Sequence, residues 1–351
     1  MPTTLVAMSG GVDSSVAACL LAEAGHEVIG SHLELVHTAG VDHGCCGPRA
    51  RADAQAVAEL AGFRFEVVDM SETFEERVIG DYLAESAAGR TPNPCVRCNE
   101  RIKFGAFLDR ARDLGAGLVA TGHYVRTRRD ERGRWHLRRG RDRAKDQSYV
   151  LAGLTQGQLG RSVFPIGEQT KDETRAHARR LGLPVAGKPD SQELCFAPAG
   201  DAGAFLESRA AVREGEVVDL SGRVLGRHGG VHRFTVGQRR GLGVSTGERS
   251  YVVEVDASAN RVVVGPEELL GRRGLDADRV NWIPERPDGP FEADVRIRYR
   301  AGEAPAVVEP VGDDRARVEF RSPVRAVAPG QLAVFYAGEQ VLGAGTIAAA
   351  S

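Results

Sequence analysis

A chain of 351 residues, 42% hydrophobic and 27% charged, has the composition of a soluble globular protein and more length than one core usually organises, so two or three domains are expected. A formal charge of −2 leaves no global nucleic-acid footprint, and the longest apolar runs fall far short of a membrane span. The amino terminus has neither a basic n-region nor a cleavage site, which points to the cytoplasm; six cysteines are too few for a disulfide scaffold, and in a reducing compartment a cysteine cluster signals metal or redox chemistry.

In chain order, TTLVAM reads as a buried strand, SSVAACLLAEAG as an apolar helix closed by Gly25, and HEVIGSHLEL as a second strand. Residues 48–61 are expected as helix, FRFEVVDM as strand, 71–87 and RIKFGAFLDRARDLG as helices, and GLVATGHY as the start of a further strand. Such alternation implies a parallel sheet wrapped by helices, with ligands at the carboxyl ends of the strands, where SGGVDS, ELVHTAGVDHGCCG and TGHY would lie. Near Arg126 a hairpin is expected, followed by short helices, one opened by a capping box from Thr170 to Glu173. Beyond about residue 210, short alternating segments such as GEVVDL, YVVEVD, RVVVG, ADVRIRYR, ARVEF and QLAVFY indicate small β domains. The expected division is 1–209 as an α/β nucleotide-binding catalytic domain, 210–273 as a small central β domain, and 274–351 as a barrel-like β domain, with the second cut around LLGRRGLDADRV.

Charge is local. Residues 126–145 hold ten Arg or Lys against Asp130, Glu131 and Asp142, a net +7 suited to phosphates, with a solvated hairpin as the plain alternative. The basic residues are almost all arginine. Lys103, Lys145, Lys171 and Lys188 are the exceptions, a bias that codon usage explains more cheaply than function.

Ser9-Gly10-Gly11-Val12-Asp13-Ser14 lies between a buried strand and a helix start, where backbone N–H groups and the helix dipole make an anion site. Unlike the ATPase loop that ends in Gly-Lys-Ser/Thr, it has no lysine for a γ-phosphate and offers the hydroxyls of Ser9, Ser14 and Ser15. GRTPNPCVRCNERIKF, residues 89–104, sets Cys95 and Cys98 three positions apart behind a rigid Thr-Pro-Asn-Pro lead. From these residues alone the thiols are half of a metal site, a redox pair, catalytic nucleophiles or small buried side chains. A later loop, GKPDSQELCF, delivers Cys195, and Cys19 falls on the apolar face of the first helix as a core residue.

SGGVDSS at a first strand-to-helix turn resembles the signature of the PP-loop ATP pyrophosphatases, which implies ATP as the adenylating reagent, pyrophosphate as leaving group and Mg2+ to neutralise the polyphosphate. GRTPNPCVRCNERIKF, ATGHYVR, KDQSYVL, FPIG, DSQELCF, FTVGQRRGLG and PGQLAVFY, in that order and nearly end to end, resemble the tRNA-specific 2-thiouridylases. The resemblance implies an α/β fold, a parallel-sheet, Rossmann-like PP-loop domain followed by two small β domains. It also implies a sulfurtransferase that adenylates O2 of the wobble uridine of tRNA and then delivers sulfur to C2, releasing AMP. In that pattern Cys195 carries a persulfide from a sulfur-relay protein and Cys98 is the partner nucleophile, and their pairing leaves a disulfide that a reductant resets.

By the same resemblance, Ala7, Met8, Ser9, Gly10, Gly11, Val12, Asp13, Ser14, Leu33 and Gly122 are implied in holding ATP. Asn93, Pro94, Cys95, His123, Lys145, Asp146, Gln147, Tyr299, Arg300 and Gln331 are implied in meeting tRNA, whose target base is extruded. The expected partners are tRNA and a sulfur donor, with no membrane, and the protein itself is expected as a monomer. Many members have Asp where this chain has Cys95, so a third thiol joins the site. Cys95, Cys98 and Cys195 as ligands of an iron–sulfur cluster are the alternative to the persulfide relay. Zinc lacks a fourth ligand unless Cys45, Cys46 or His43 arrives from another loop. Two other readings stay open: an ATP-dependent amidotransferase or ligase of the same superfamily, and an RNA-binding protein without catalysis.

Overall fold

The structure, a computed structural model, describes residues 1–36, 47–190, 194–197, 202–209, 213–244 and 247–351. The chain gathers into two compact units: Met1–Ile79 with Cys95–Asp201 and Glu339–Val341, and Gly80–Pro94 with Ala202–Gly338 and Leu342–Ser351.

In the first unit, β1 (Thr3–Ala7), β2 (Glu27–Glu34), β3 (Arg64–Asp69) and β4 (Leu118–Thr121) are followed by a hairpin of β5 (Val125–Arg129) and β6 (Trp135–Arg139), then by β7 (Ser162–Val163). The sheet runs β3-β2-β1-β4-β7, and every pairing in it is parallel. β1 and β2 are buried along nearly their whole length, which is why they read as continuous apolar runs rather than as alternation. The helix Val12–Glu23 packs Val16, Ala17 and Leu21 onto Val6, Met8 and Val28, joined by Ala54 and Val57 of the helix Pro48–Ala61 and Ala178 of the helix Lys171–Arg180. Strand order sets the site. The chain leaves β1 for β2 and β3 on one side, while β4 adds on the other, so the loops after β1 and β4 diverge at a topological switch point. Those loops are SGGVDS and TGHY.

Two stretches expected as plain helices are not. Residues 71–87 run through a π-helical segment, Glu75–Ile79, and the helix after Cys98 opens as a π-helix over Asn99–Ala106 before becoming α-helical at Phe107–Asp113. In the second case the cause is a side chain. Gln158 donates its amide to the carbonyls of both Glu100 and Phe104, at 2.9 and 2.7 Å, and the widened turn accommodates those bonds.

The second unit contains two β bodies. β8 (Gly215–Val218), β9 (Val224–His228), β10 (Tyr251–Asp256) and β11 (Arg261–Gly265) form a sheet of order β10-β11-β8-β9 around Val217, Val252, Val262 and Val264. β12 (Gly271–Trp282), β13 (Phe291–Arg296), β14 (Ala304–Val311), β15 (Arg315–Arg325), β16 (Leu332–Ala337) and β17 (Gln340–Ala350) follow in the order β12-β15-β14-β13-β16-β17. β12 also pairs with β17, which closes a barrel and removes its edges. Of LLGRRGLDADRV, the two leucines end a 3-10 turn, Glu267–Leu270, and all the rest lies in β12. The architecture is the expected α/β class, a parallel Rossmann-like sheet followed by β domains. Among the described residues no helix is long and apolar enough to cross a membrane.

Candidate active site

The loop after β1 is shaped by close backbone contacts. Gly10 has φ +65°, and a Cβ there would lie 2.1 Å from the Ala50 carbonyl oxygen, so only glycine fits. Ser14 Oγ accepts from the Ser9 N–H at 3.1 Å, and Ser15 Oγ donates to the Gly11 carbonyl at 2.8 Å. Gly11 is the N-cap of Val12–Glu23 and makes no side-chain cap hydrogen bond, so the positive end of the helix opens onto this loop. Lys188 Nζ donates to the Gly10 carbonyl at 2.9 Å and pairs with Asp53 at 2.7 Å, which fixes the loop from behind. The TGHY turn meets this loop main chain to main chain: a Cβ on Gly122 would lie 2.5 Å from the Ser14 nitrogen. Ala7 ends β1, and Met8, Val12 and Leu33 are buried beneath the loop's chemistry rather than presented by it.

Around Asp13 the charges interlock. Lys171 Nζ donates to its two carboxylate oxygens at 2.7 and 2.8 Å, and the Tyr124 hydroxyl donates to Oδ1 at 2.9 Å. Lys171 is also 2.7 Å from Asp190 Oδ1, which Arg175 approaches at 3.4 Å, while Lys145 is 2.8 Å from Asp190 Oδ2. Burial alone would raise the Asp190 pKa, but the hydrogen bonds and charges of Lys145 and Lys171 outweigh it and hold the carboxyl at about 2. The bond to Asp190 in turn raises the Lys145 pKa. Tyr124 is pushed well up by burial and by the Asp13 charge, so its phenol stays a donor.

Cys98 is buried at the end of the short helix Pro94–Cys98, while Cys95 on the same helix is exposed. The helix that follows is fixed by Gln158 and by Asn99, whose Nδ2 donates to the Val150 carbonyl at 3.1 Å. Cys195 is half-buried, and the neighbouring Phe196 ring packs on Phe74 with centroids 5.9 Å apart. The cluster alternative finds no support. Among the described residues no group of three or more His, Cys, Asp or Glu is gathered so that it could hold a metal ion, and Cys95 is exposed where Cys98 is buried. Cys45, Cys46 and His43 lie outside the described residues, and Cys19 sits in the core, its thiol pushed up to about 11 by burial and then by Glu23.

The KDQ stretch is a hub. Lys145 reaches Asp190, five residues before Cys195. Asp146 is buried and accepts from the Gly140 and Ser148 N–H groups at 3.0 and 3.1 Å, so its carboxylate shapes the turn from inside. Gln147 Oε1 accepts from the Tyr124 N–H at 3.0 Å. His123 is buried, its Nδ1 2.7 Å from Thr121 Oγ1; burial, with the Lys103 charge added, holds its pKa well below the usual imidazole value. In the second unit Asn93 is half-buried and Pro94 buried, whereas Tyr299 and Arg300 are exposed on a turn. Gln331 donates its amide to the Thr91 carbonyl at 2.7 Å, and the Thr91 N–H donates to the Pro329 carbonyl at 2.8 Å. The PGQ turn thus grips the lead into Asn93 and Pro94.

Lys171, Lys188, Tyr124, Asp190 and Gln158 are the site residues that sequence reasoning misses. TKDETR announces only its cap and DSQELCF only its cysteine. The usable signal is lysine itself, present at four of 46 basic positions.

Comparison with known proteins covers the chain from end to end. Residues 2–199 match the family model of the tRNA methyl transferase HUP domain, 203–266 that of the tRNA methyl transferase PRC-barrel domain, and 272–347 that of the aminomethyltransferase beta-barrel domain. The tRNA-specific 2-thiouridylase MnmA of Acidothermus cellulolyticus is 52% identical, with 98% of this chain and 97% of that protein covered. Its counterpart in Geobacter metallireducens is 49% identical, with 99% and 96% covered. That of Moorella thermoacetica is 48% identical, with 98% of each covered.

Proposed function

The chain belongs to the family of the tRNA-specific 2-thiouridylases, and from that premise we propose that it is a tRNA-uridine 2-sulfurtransferase, which uses ATP to replace O2 of the wobble uridine with sulfur. One observation carries the reading. A continuous set of contacts in the first unit links the thiol helix to the nucleotide loop: Asn99 to the Val150 carbonyl, the adjoining Gln147 to the Tyr124 N–H, and the Tyr124 hydroxyl to Asp13. Residues 99 and 13 are thereby held in one scaffold, as a reaction with an adenylation half and a sulfur half requires.

In the first half, uridine O2 attacks the α-phosphorus of ATP and pyrophosphate leaves. The loop Ser9–Ser14 and the positive end of Val12–Glu23 receive it, and Gly122 brings the TGHY turn beside the same loop. Mg2+ is usually carried by the phosphates with one or two protein carboxylates, Asp13 being the loop residue that fits, and it would supply charge neutralisation. In the second half, the terminal sulfur of a Cys195 persulfide attacks C2 and AMP departs. The Cys98 thiolate then attacks the Cys195 sulfur, the S–S bond to the new thiouridine breaks, and a Cys98–Cys195 disulfide remains for a thiol reductant. Burial of Cys98 keeps water from the activated C2, where hydrolysis would regenerate uridine. His123, neutral and buried, serves as a hydrogen-bonding group rather than a charge. Lys145, Tyr299 and Arg300 are the exposed or half-exposed groups suited to the RNA backbone, and Asp146, Gln147 and Gln331 act by shaping what is presented.

The test is an incubation of unmodified tRNA with the protein, ATP and a persulfide source, followed by nucleoside mass spectrometry. We expect 2-thiouridine at the wobble position and equal amounts of AMP and pyrophosphate. ATP consumed on tRNA with no thiolated uridine would overturn the reading.

A further inference from the structure

Only four of the chain's 46 basic residues are lysine, and all four gather at this site. Lys145, Lys171 and Lys188 form ion pairs around the nucleotide loop, and the charge of Lys103 acts on His123. In a chain so biased to arginine, a lysine marks a place where a planar guanidinium does not serve and a compact charge on a flexible stem does.

Lys171 shows this most directly. It is the first residue of the helix Lys171–Arg180, behind the Thr170 and Glu173 capping box, and its backbone N–H donates to Asp142 Oδ2 at 2.9 Å. The main chain is therefore fixed, and the charge sits at the end of a stem with four rotatable bonds. Its single nitrogen takes three oxygens from two distant segments, both of Asp13 at 2.7 and 2.8 Å and Oδ1 of Asp190 at 2.7 Å. A guanidinium presents its donors in one plane and cannot collect them alike.

The surroundings also allow that nitrogen to leave. Without Lys171, Asp13 keeps the Tyr124 hydroxyl at 2.9 Å, and Asp190 keeps Lys145 at 2.8 Å and Arg175 at 3.4 Å. Neither carboxylate is stranded, so handing the ammonium to an incoming anion avoids the large cost of a buried, unpaired charge.

We propose that Lys171 is the cation that the SGGVDS loop lacks in its own sequence: the fold stores the ammonium on Asp13 and Asp190, and the β- and γ-phosphates of ATP draw it off. This rests on the reading of the chain as an ATP-dependent adenylating enzyme. In that step the bond from the α-phosphorus to its β-bridging oxygen breaks and the oxygen keeps the electron pair. The ammonium stands against the developing charge without gaining or losing a proton. Lys188 has a separate task, because it holds the Gly10 carbonyl and so supports the loop for any ligand.

Isothermal titration of ATP with Mg2+, and separately of AMP, into the full-length wild type, Lys171→Met and Lys171→Arg tests this in the absence of tRNA. ATP affinity should fall about tenfold or more in Lys171→Met and about fivefold in Lys171→Arg, while AMP, which lacks the β- and γ-phosphates, stays within about twofold. Retained AMP binding also reports that each variant is folded. Unchanged ATP affinity in both variants, or ATP and AMP weakening together, would overturn the proposal and make Lys171 a structural tie. If the wild type binds neither nucleotide, the adenylation reading itself fails and takes this proposal with it.

Discussion

Gly122 has no space for a side chain, since its Cβ would press on the first turn of the helix Val12–Glu23 at Ser14. Gly122→Ala must push the TGHY turn off the nucleotide loop, at an overpacking cost of about 1–3 kcal/mol. ATP affinity measured by equilibrium dialysis should drop in step; unaltered affinity would separate the turn from the nucleotide site. His123 makes a second residue-scale prediction. Unfolded, it takes up a proton near 6.5, but folded it resists protonation to well below that. Between those values the unfolded state binds more protons, so the contribution to stability is fully present above 6.5 and is lost as pH falls toward the folded pKa. Urea midpoints at about pH 7.5 and about pH 5.5 should diverge more for the wild type than for His123→Asn. A larger divergence in the variant would mean that the ring is charged in the fold. At this scale the sequence is readable where a residue's role is local: Gly10, Gly11 and Ser14 follow from a strand-to-helix turn. Lys171 is not readable as the partner of Asp13, because charge pairing across 158 residues leaves no periodic trace, and nothing local announces that Asp190 shares the same ammonium.

Helices and strands are legible wherever their own residues decide them. The helix Pro48–Ala61 and the Thr170 capping box stand as expected, the box closed from both sides by Thr170 Oγ1 and the Glu173 carboxylate. Elements decided from outside escape such reading. β7 is two residues long and exists by pairing with β4, and the π-helix Asn99–Ala106 owes its shape to Gln158, more than fifty residues later in the chain. Gln158→Leu removes both amide bonds and leaves two carbonyls to find other partners, a loss of about 1–3 kcal/mol. The same variant should make Cys98 alkylate faster, because the helix beyond it loses its fastening. Stability reduced with the Cys98 rate unchanged would place the fastening too far from the thiol to matter.

Across the molecule, the pattern of strand–helix alternation giving way to short alternating segments beyond about residue 210 makes the α/β class and the β tail readable from the residues alone. What it hides is which distant segments share a unit. Gly80–Pro94 belongs with the β bodies, gripped at Thr91 by Gln331 from 240 residues away, although Cys95 follows directly in sequence within the other unit. Hydrophobic periodicity describes a segment and is silent on such partners. At this scale the proposed chemistry divides the labour between a nucleotide loop that activates uridine and a thiol helix that completes sulfur transfer. It is tested most directly by following tRNA-dependent pyrophosphate release and 2-thiouridine formation together in the wild type and in Cys98→Ala. The account predicts that the variant still releases pyrophosphate when tRNA is added and forms no 2-thiouridine. A Cys98→Ala protein that thiolates tRNA at the wild-type rate, or a wild type whose pyrophosphate release ignores tRNA, would contradict it.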